Sequence, residues 1–258
     1  MSRAKVTPHF IVIGVRKGGT TSLFHYLEQH PEMSGSLKKE LHYFTFKYDR
    51  GIDWYSKQFP KPASGSLLFE STPAYLFHPQ APKRIKDSLE RTKFILLLRD
   101  PIERAFSNYK MNVKLGWDSA PSFEDAIERE LSFNLENIYS DSAESARYEL
   151  DYHQHAYLHQ GLYGLHLSRW LKYFDKSQLL ILDSSRFFDN PKFSLGKIYS
   201  FLATTEQYPS DLNARNVGQY QSDINPRTVA KLRTYFKEDV VMLHDLTGRE
   251  FIWSGHYA

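Results

Sequence analysis

The 258-residue chain balances 33 Lys+Arg against 30 Asp+Glu, a formal net charge of +3, so no global field marks a dedicated nucleic-acid binder and any anion site must be built locally. It has no cysteine, which excludes disulfides, thiolate metal sites and cysteine nucleophiles and suits a reducing compartment. The N-terminal "MSRAKVTPHF" lacks the apolar core of a signal peptide, and no stretch approaches the ~20 apolar residues of a membrane span. The expectation is a cytoplasmic protein without a stable membrane anchor, folded as one domain over residues 1–258.

In chain order, "FIVIGV" (Phe10 to Val15) reads as a buried strand, followed by a glycine turn and a helix over Thr21 to Gln29 that stops before Pro31. "LKKELHYF" (Leu37 to Phe44) reads as an extended stretch, in which Glu40 and His42 are two apart and share a side. "SLLFES" (Ser66 to Ser71) and "KFILLLRD" (Lys93 to Asp100) are further buried strands. The next helix runs from Pro101 to Lys114, with Ile102, Ala105, Phe106, Tyr109 and Val113 on one face; Asp100 caps it and Pro101 takes its first turn. Residues 132–160 are polar and poorly periodic and are expected to form a mobile segment or lid.

Helices over Gly161 to Phe174 and Pro191 to Leu202 flank a fourth strand, "QLLILD" (Gln178 to Asp183). A final helix starts at Asn225 and Pro226, carries Val229, Leu232 and Phe236 in a stripe, and closes at Gly248. Strands alternating with helices predict an α/β fold, a central parallel sheet flanked by helices on both faces, with functional loops at the carboxyl ends of the strands.

The turn Arg16-Lys17-Gly18-Gly19-Thr20-Thr21 aims backbone N–H groups and a helix amino end at one point, which favours phosphate or sulfate. Gly18 and Gly19 permit close approach, Lys17 adds a movable charge, and Thr20, Thr21 and Ser22 add hydroxyls. Gly14 and Gly19 have the spacing of the G-x-x-x-x-G-K-[ST] loop of nucleotide triphosphatases, but Thr20 stands where the lysine belongs.

"GVRKGGTTSL", "KELHYF", "FESTPAYLF" and "FILLLRDPIERAFSNY" together resemble the sulfotransferases that use 3′-phosphoadenylyl sulfate (PAPS), in particular the heparan sulfate 3-O- and N-sulfotransferase group. The resemblance implies a P-loop-kinase-like sulfotransferase fold and transfer of a sulfuryl group from PAPS to a hydroxyl or amine, releasing PAP. It assigns Arg16, Lys17, Gly18, Gly19, Thr20, Thr21 and Ser22 to the 5′-phosphosulfate, Arg99 and Ser107 to the 3′-phosphate, and Tyr220 to the adenine. It makes Glu40 the catalytic base, with His42 and Lys17 assisting. Lys38, Lys39, Ser71, Thr72, Pro73 and Tyr75 then border a carbohydrate or small-molecule acceptor.

Two departures bear on the acceptor. Ser71 replaces the family's lysine, and Thr45 stands where an aspartate often follows. The basic, disulfide-closed loop of the vertebrate enzymes is also missing around "NVGQYQSDINP". These losses favour a neutral or weakly charged acceptor over an anionic polymer.

Three other readings compete. A P-loop nucleotide or small-molecule kinase would share the topology, but Lys17 precedes both glycines. A non-catalytic PAPS- or PAP-binding module would not need Glu40 and His42. A metal site on "HQHAYLH" would use His155 and His159, yet that tract lacks the glutamate of H-E-x-x-H, and no carboxylate is placed as a magnesium ligand, so no metal is expected.

Overall fold

The computed structural model describes residues 6–61, 65–132, 150–214 and 224–257. They fall into two compact units, one of Met1–Leu98 with Trp170–Val217 and the other of Arg99–Arg169 with Gly218–Ala258.

The first unit contains a five-stranded sheet of β1 (Phe10–Gly14), β2 (Met33–Gly35), β3 (Leu67–Ser71), β4 (Lys93–Leu98) and β5 (Leu179–Asp183) in the order β2-β3-β1-β4-β5. All four pairings are parallel. The four predicted strands are present. The short β2 carries no periodic signal of its own, and is strand because Met33, Ser34 and Gly35 pair with Leu67, Leu68 and Phe69.

Alternate residues divide the sheet's two faces. Phe10, Val12, Phe69, Ile95 and Leu97 pack in one cluster with Leu23, Phe24 and Leu27 of α1 (Thr20–Glu28), and with Leu195, Ile198 and Leu202 of α10 (Pro191–Leu202). Phe94 faces the other way, its ring 5.1 Å from that of Trp170 and 4.6 Å from that of Phe174. Trp170 also donates its indole N–H to the carbonyl of Leu76 in α3 (Ala74–Phe77). Both faces are thus covered, which is what lets strands this apolar persist. Three further helices of this unit, α2 (Gly51–Ser56), α4 (Ala81–Ser88) and α9 (Ser184–Asp189), are short and escape the sequence pattern.

The second unit is helical. The chain leaves β4 into α5 (Pro101–Lys114), whose cap is as predicted: the Asp100 carboxylate accepts from the Ile102 and Glu103 amides at 2.9 and 3.0 Å. Ile102, Ala105, Phe106 and Tyr109 are buried, while Val113, expected on the same face, is exposed. Next come α6 (Phe123–Leu131), capped by Ser122, α7 (Leu150–His155) and α8 (Tyr163–Trp170). The last, α11 (Pro226–Thr247), is capped by Asn225 and closed by Gly248 in left-handed backbone (φ 68°), as its sequence signals foretell. Asp239 of α11 accepts from the Gly164 and Leu165 amides of α8 at 2.9 and 2.8 Å, so a carboxylate of one helix satisfies the open amino end of another.

Of the expected lid, residues 133–149 lie outside the described residues. The part that is described is packed: Tyr152, Tyr157, Leu158, His159 and Gln160 are buried. Its polar groups have buried partners. The Glu130 carboxylate accepts from the Leu158 and His159 amides at 2.7 and 2.8 Å, and Tyr157 donates to Asp118 at 2.6 Å. Such pairing makes a polar sequence look like surface when it is core.

Candidate active site

β1 is the central strand, flanked by β3 and β4, so the loop at its carboxyl end lies where the strand order reverses. That loop is pinned from below. The Val15 amide donates to the Leu97 carbonyl at 3.0 Å, the Gly18 amide to the Val15 carbonyl at 2.9 Å, and the Ser184 hydroxyl to the Gly18 carbonyl at 2.8 Å. A side chain at position 18 would place its Cβ 2.8 Å from the Leu97 carbonyl oxygen, so only glycine fits. Gly19 precedes α1 at φ 101°, a left-handed value natural to glycine. The first turn of α1 has no acidic residue and no side-chain cap, which leaves its amino end positive. Lys17 also has left-handed backbone (φ 69°); it and Arg16 are half-buried beside this turn, and Thr20 and Ser22 are buried in it.

The segment bearing Glu40 and His42 corrects one expectation. It is a compact loop, not an extended stretch, with Glu40 at φ 62° and His42 at φ 55°. Tertiary hydrogen bonds impose this path. The Glu40 amide donates to the Ser71 carbonyl at 2.9 Å, and the Tyr43 and Phe44 amides donate to the Tyr75 hydroxyl at 3.0 and 3.4 Å. Arg84 of α4 donates to the Phe44 and Thr45 carbonyls, and Lys47 donates to that of Leu41.

Glu40 and His42 still come together: Nε2 of His42 lies 3.6 Å from Oε2 of Glu40, and Nζ of Lys39 lies 2.6 Å from Oε1. Burial works against the ionised Glu40, but the hydrogen bond from His42 and the Lys39 charge outweigh it and hold the carboxyl well below the usual carboxylate range. On its other side, Nδ1 of His42 lies 3.3 Å from the Thr45 hydroxyl, which itself donates to the His42 carbonyl at 3.1 Å. The Thr45 hydroxyl thus contacts the ring at Nδ1 and orients it. Lys38 is exposed.

Ser71 ends β3 and Thr72, Pro73 and Tyr75 follow it; all four are buried. Thr72 and Tyr75 donate their hydroxyls to Glu70. In the second unit, Arg99 follows directly on β4 and pairs with Glu103 at 3.1 Å, with its side chain 27% exposed. Ser107 is buried on α5. Tyr220 lies outside the described residues.

The histidines of "HQHAYLH" part company. His155 ends α7 and its Nε2 lies 2.9 Å from the Trp117 carbonyl, whereas His159 sits in a separate turn, 3.0 Å from Glu130. Among the described residues no group of three or more His, Asp or Glu side chains could hold a metal ion. A cavity of about 730 Å³ in the first unit, lined by Thr7, His9, Tyr48, Ser88 and Thr92, opens beside the amino ends of β1 and β4, opposite the glycine loop. It is not where the loop chemistry lies.

Residues 7–238 match the sulfotransferase domain family. The chain belongs to the sulfotransferase family. It is 28% identical over 275 residues to heparan sulfate glucosamine 3-O-sulfotransferase 3A1 of Homo sapiens, covering 98% of this chain and 64% of that protein. It is 34% identical to heparan sulfate glucosamine 3-O-sulfotransferase 6 of Mus musculus over 76% of this chain and 52% of that protein. The chain therefore spans roughly half to two thirds of the length of these curated relatives. Among solved structures, a sulfotransferase from Alicyclobacillus acidocaldarius superposes with a TM-score of 0.78 at 25% identity, covering 95% of this chain and 97% of that one. Mouse sulfotransferase SULT7A1, complexed with PAP, shares the fold with a TM-score of 0.55 at 15% identity, over 94% and 89% of the two chains.

In this member of the sulfotransferase family, sequence reasoning missed the residues that shape the Glu40 loop. Arg84 left no trace, because its partners lie about forty positions earlier in the chain. Glu70 did leave one, a carboxylate inside an otherwise apolar strand.

Proposed function

We propose that this chain transfers the sulfuryl group of PAPS to a hydroxyl or amine of a carbohydrate or small-molecule acceptor and releases PAP. The observation that carries the proposal is the Glu40 carboxylate, 46% exposed and ionised, held beside His42 in a member of the sulfotransferase family. The acceptor's O–H or N–H proton passes to Glu40 as its heteroatom bonds to sulfur, and the bond from sulfur to the 5′-phosphate oxygen of PAP breaks with its electrons on that oxygen. Lys17 neutralises the leaving oxygen, while Gly18, Gly19, Thr20, Thr21 and Ser22 supply donors to the phosphosulfate. Arg99 and Ser107 are assigned to the 3′-phosphate, the group that distinguishes PAPS from ATP. Alignment and charge stabilisation suffice for such a transfer, and no step is assigned to a metal.

The names of the curated relatives point to glucosamine residues of heparan sulfate as their acceptor. For this chain we propose an acceptor of low charge, such as a simple glycoside. Support comes from Ser71, an uncharged and fully buried residue where the resemblance expects a lysine. Calorimetry with PAP and ATP, with and without magnesium, tests the donor; equal affinities would favour a kinase. Labelled PAPS offered with desulfated heparan, simple glycosides and hydroxylated metabolites tests the acceptor. Efficient, salt-sensitive labelling of the heparan alone would overturn the low-charge assignment.

A further inference from the structure

Strand β3 carries a carboxylate in its buried centre. Glu70 is 0% exposed and is met by three hydroxyls: Tyr55 donates to Oε1 at 2.5 Å, Tyr75 to Oε1 at 3.1 Å, and Thr72 to Oε2 at 2.8 Å. Each of these donors also touches the loop that bears Glu40 and His42. The Tyr75 hydroxyl accepts the Tyr43 and Phe44 amides at 3.0 and 3.4 Å, and Thr72 accepts the His42 amide at 3.5 Å. The ring of Tyr55 stacks on that of Tyr43 at 4.5 Å and 17°.

A hydroxyl has one hydrogen. If it goes to Glu70, only lone pairs remain for the loop, and the amides of His42, Tyr43 and Phe44 need acceptors. While ionised, the Glu70 carboxylate is an acceptor only, so in that form it fixes the polarity of the whole chain of bonds. Glutamine at the same place would offer N–H donors as well and allow the hydroxyls to turn.

We propose that Glu70 is a positioning residue for sulfuryl transfer: by orienting the Tyr75 and Thr72 hydroxyls as acceptors of three successive loop amides, it holds Glu40 and His42 in their left-handed backbone. The inference rests on the reading of Glu40 and His42 given above. Burial pushes the Glu70 carboxyl up to about 7, and the bonds from Tyr55, Thr72 and Tyr75 offset only part of that shift. A buried carboxyl maintained at this cost fits a role beyond stability.

Four proteins test the proposal: wild type, Glu70→Gln, Tyr75→Phe and Tyr55→Phe. The Phe variants each remove one hydroxyl from Glu70, but only Tyr75→Phe also removes the acceptor of the loop amides. Exchange of the Tyr43 and Phe44 amide hydrogens, followed by NMR, should accelerate about tenfold or more in Tyr75→Phe and Glu70→Gln, and stay within about threefold of wild type in Tyr55→Phe. Turnover of labelled PAPS with the glycoside and desulfated heparan panel should fall by a similar factor in the first two, with PAP affinity from calorimetry changed less than about threefold. Unchanged exchange in Tyr75→Phe or Glu70→Gln, or equal acceleration in Tyr55→Phe, would overturn the proposal. A wild type that binds no PAP and turns over no PAPS would instead defeat the functional reading, while the exchange comparison would still decide whether Glu70 orders the loop.

Discussion

Oε2 of Glu40 and Nε2 of His42 stand 3.6 Å apart, each reached from a backbone with positive φ, 62° and 55°. A left-handed conformation costs an L-residue roughly 1–2 kcal/mol. Two such residues, two positions apart, persist because the Ser71 carbonyl and the Tyr75 hydroxyl take up the amides of Glu40, Tyr43 and Phe44. The loop is thus held by β3 and α3, not by its own propensity.

Removing the carboxylate charge at Glu40 should therefore stop the chemistry and spare the donor site. Glu40→Gln is expected to bind PAP within a few-fold of wild type and to lose about 100-fold or more of its turnover, the usual contribution of a positioned general base. Calorimetry and labelled-PAPS turnover check the two halves. Retained turnover would transfer the base role to His42.

At Gly18, the Leu97 carbonyl oxygen and the Val15 Cγ2 both lie 2.8 Å from where a Cβ would sit. The first is backbone of the sheet and cannot swing aside. Gly18→Ala should cost about 1–3 kcal/mol in urea unfolding, as overpacking does, and should weaken PAP binding because the loop must shift. Preserved stability with preserved affinity would mean that the turn relaxes without consequence.

Arg99 follows β4 and now pairs with Glu103 at 3.1 Å on a partly exposed surface. An exposed pair of this kind adds little stability. Arg99→Ala should leave the unfolding midpoint nearly unchanged and weaken PAP binding by about 1.5–3 kcal/mol, the range of a charge-assisted hydrogen bond. Adenosine 5′-phosphosulfate, which lacks the 3′-phosphate, should lose much less. Equal losses for the two ligands would remove Arg99 from the 3′-phosphate.

Asp239 titrates in the opposite sense to a salt-bridged carboxylate. Burial raises its carboxyl to about 6, with the amides of α8 offsetting only part of the rise. The folded state then binds its proton more tightly than the unfolded chain does. The resulting stability is fully present below the unfolded value of about 3.9 and is lost as pH rises through about 6, amounting to about 3 kcal/mol at most. Urea titrations of wild type and Asp239→Asn between pH 4 and 7 should show a fall with pH in the difference between them. A difference that does not change with pH would show that the carboxyl titrates normally.

Much of the frame was legible because its signals are local. Asp100 and Asn225 each cap the helix that follows them, and Gly248 ends the last one. The helices over Pro101–Lys114 and Pro191–Leu202 have the bounds that their sequences predict. The four apolar strands announce themselves as short buried runs, and the loop after β1 is marked by Gly18 and Gly19, whose backbone demands no other residue meets. Motif resemblance, likewise local, led to the family.

Tertiary structure decided the rest. Whether Leu37 to Phe44 is extended or coiled depends on acceptors at Ser71 and Tyr75, some thirty positions away. Whether β2 exists depends on its pairing with β3. Glu70, Arg104, Glu130 and His159 are polar or charged residues that the fold buries. Apolar periodicity records which face of an element leaves water, and it can be read along the chain. A buried polar group is tolerable only with a partner brought to it from elsewhere in the chain, and no pattern of neighbouring residues records which partner that will be.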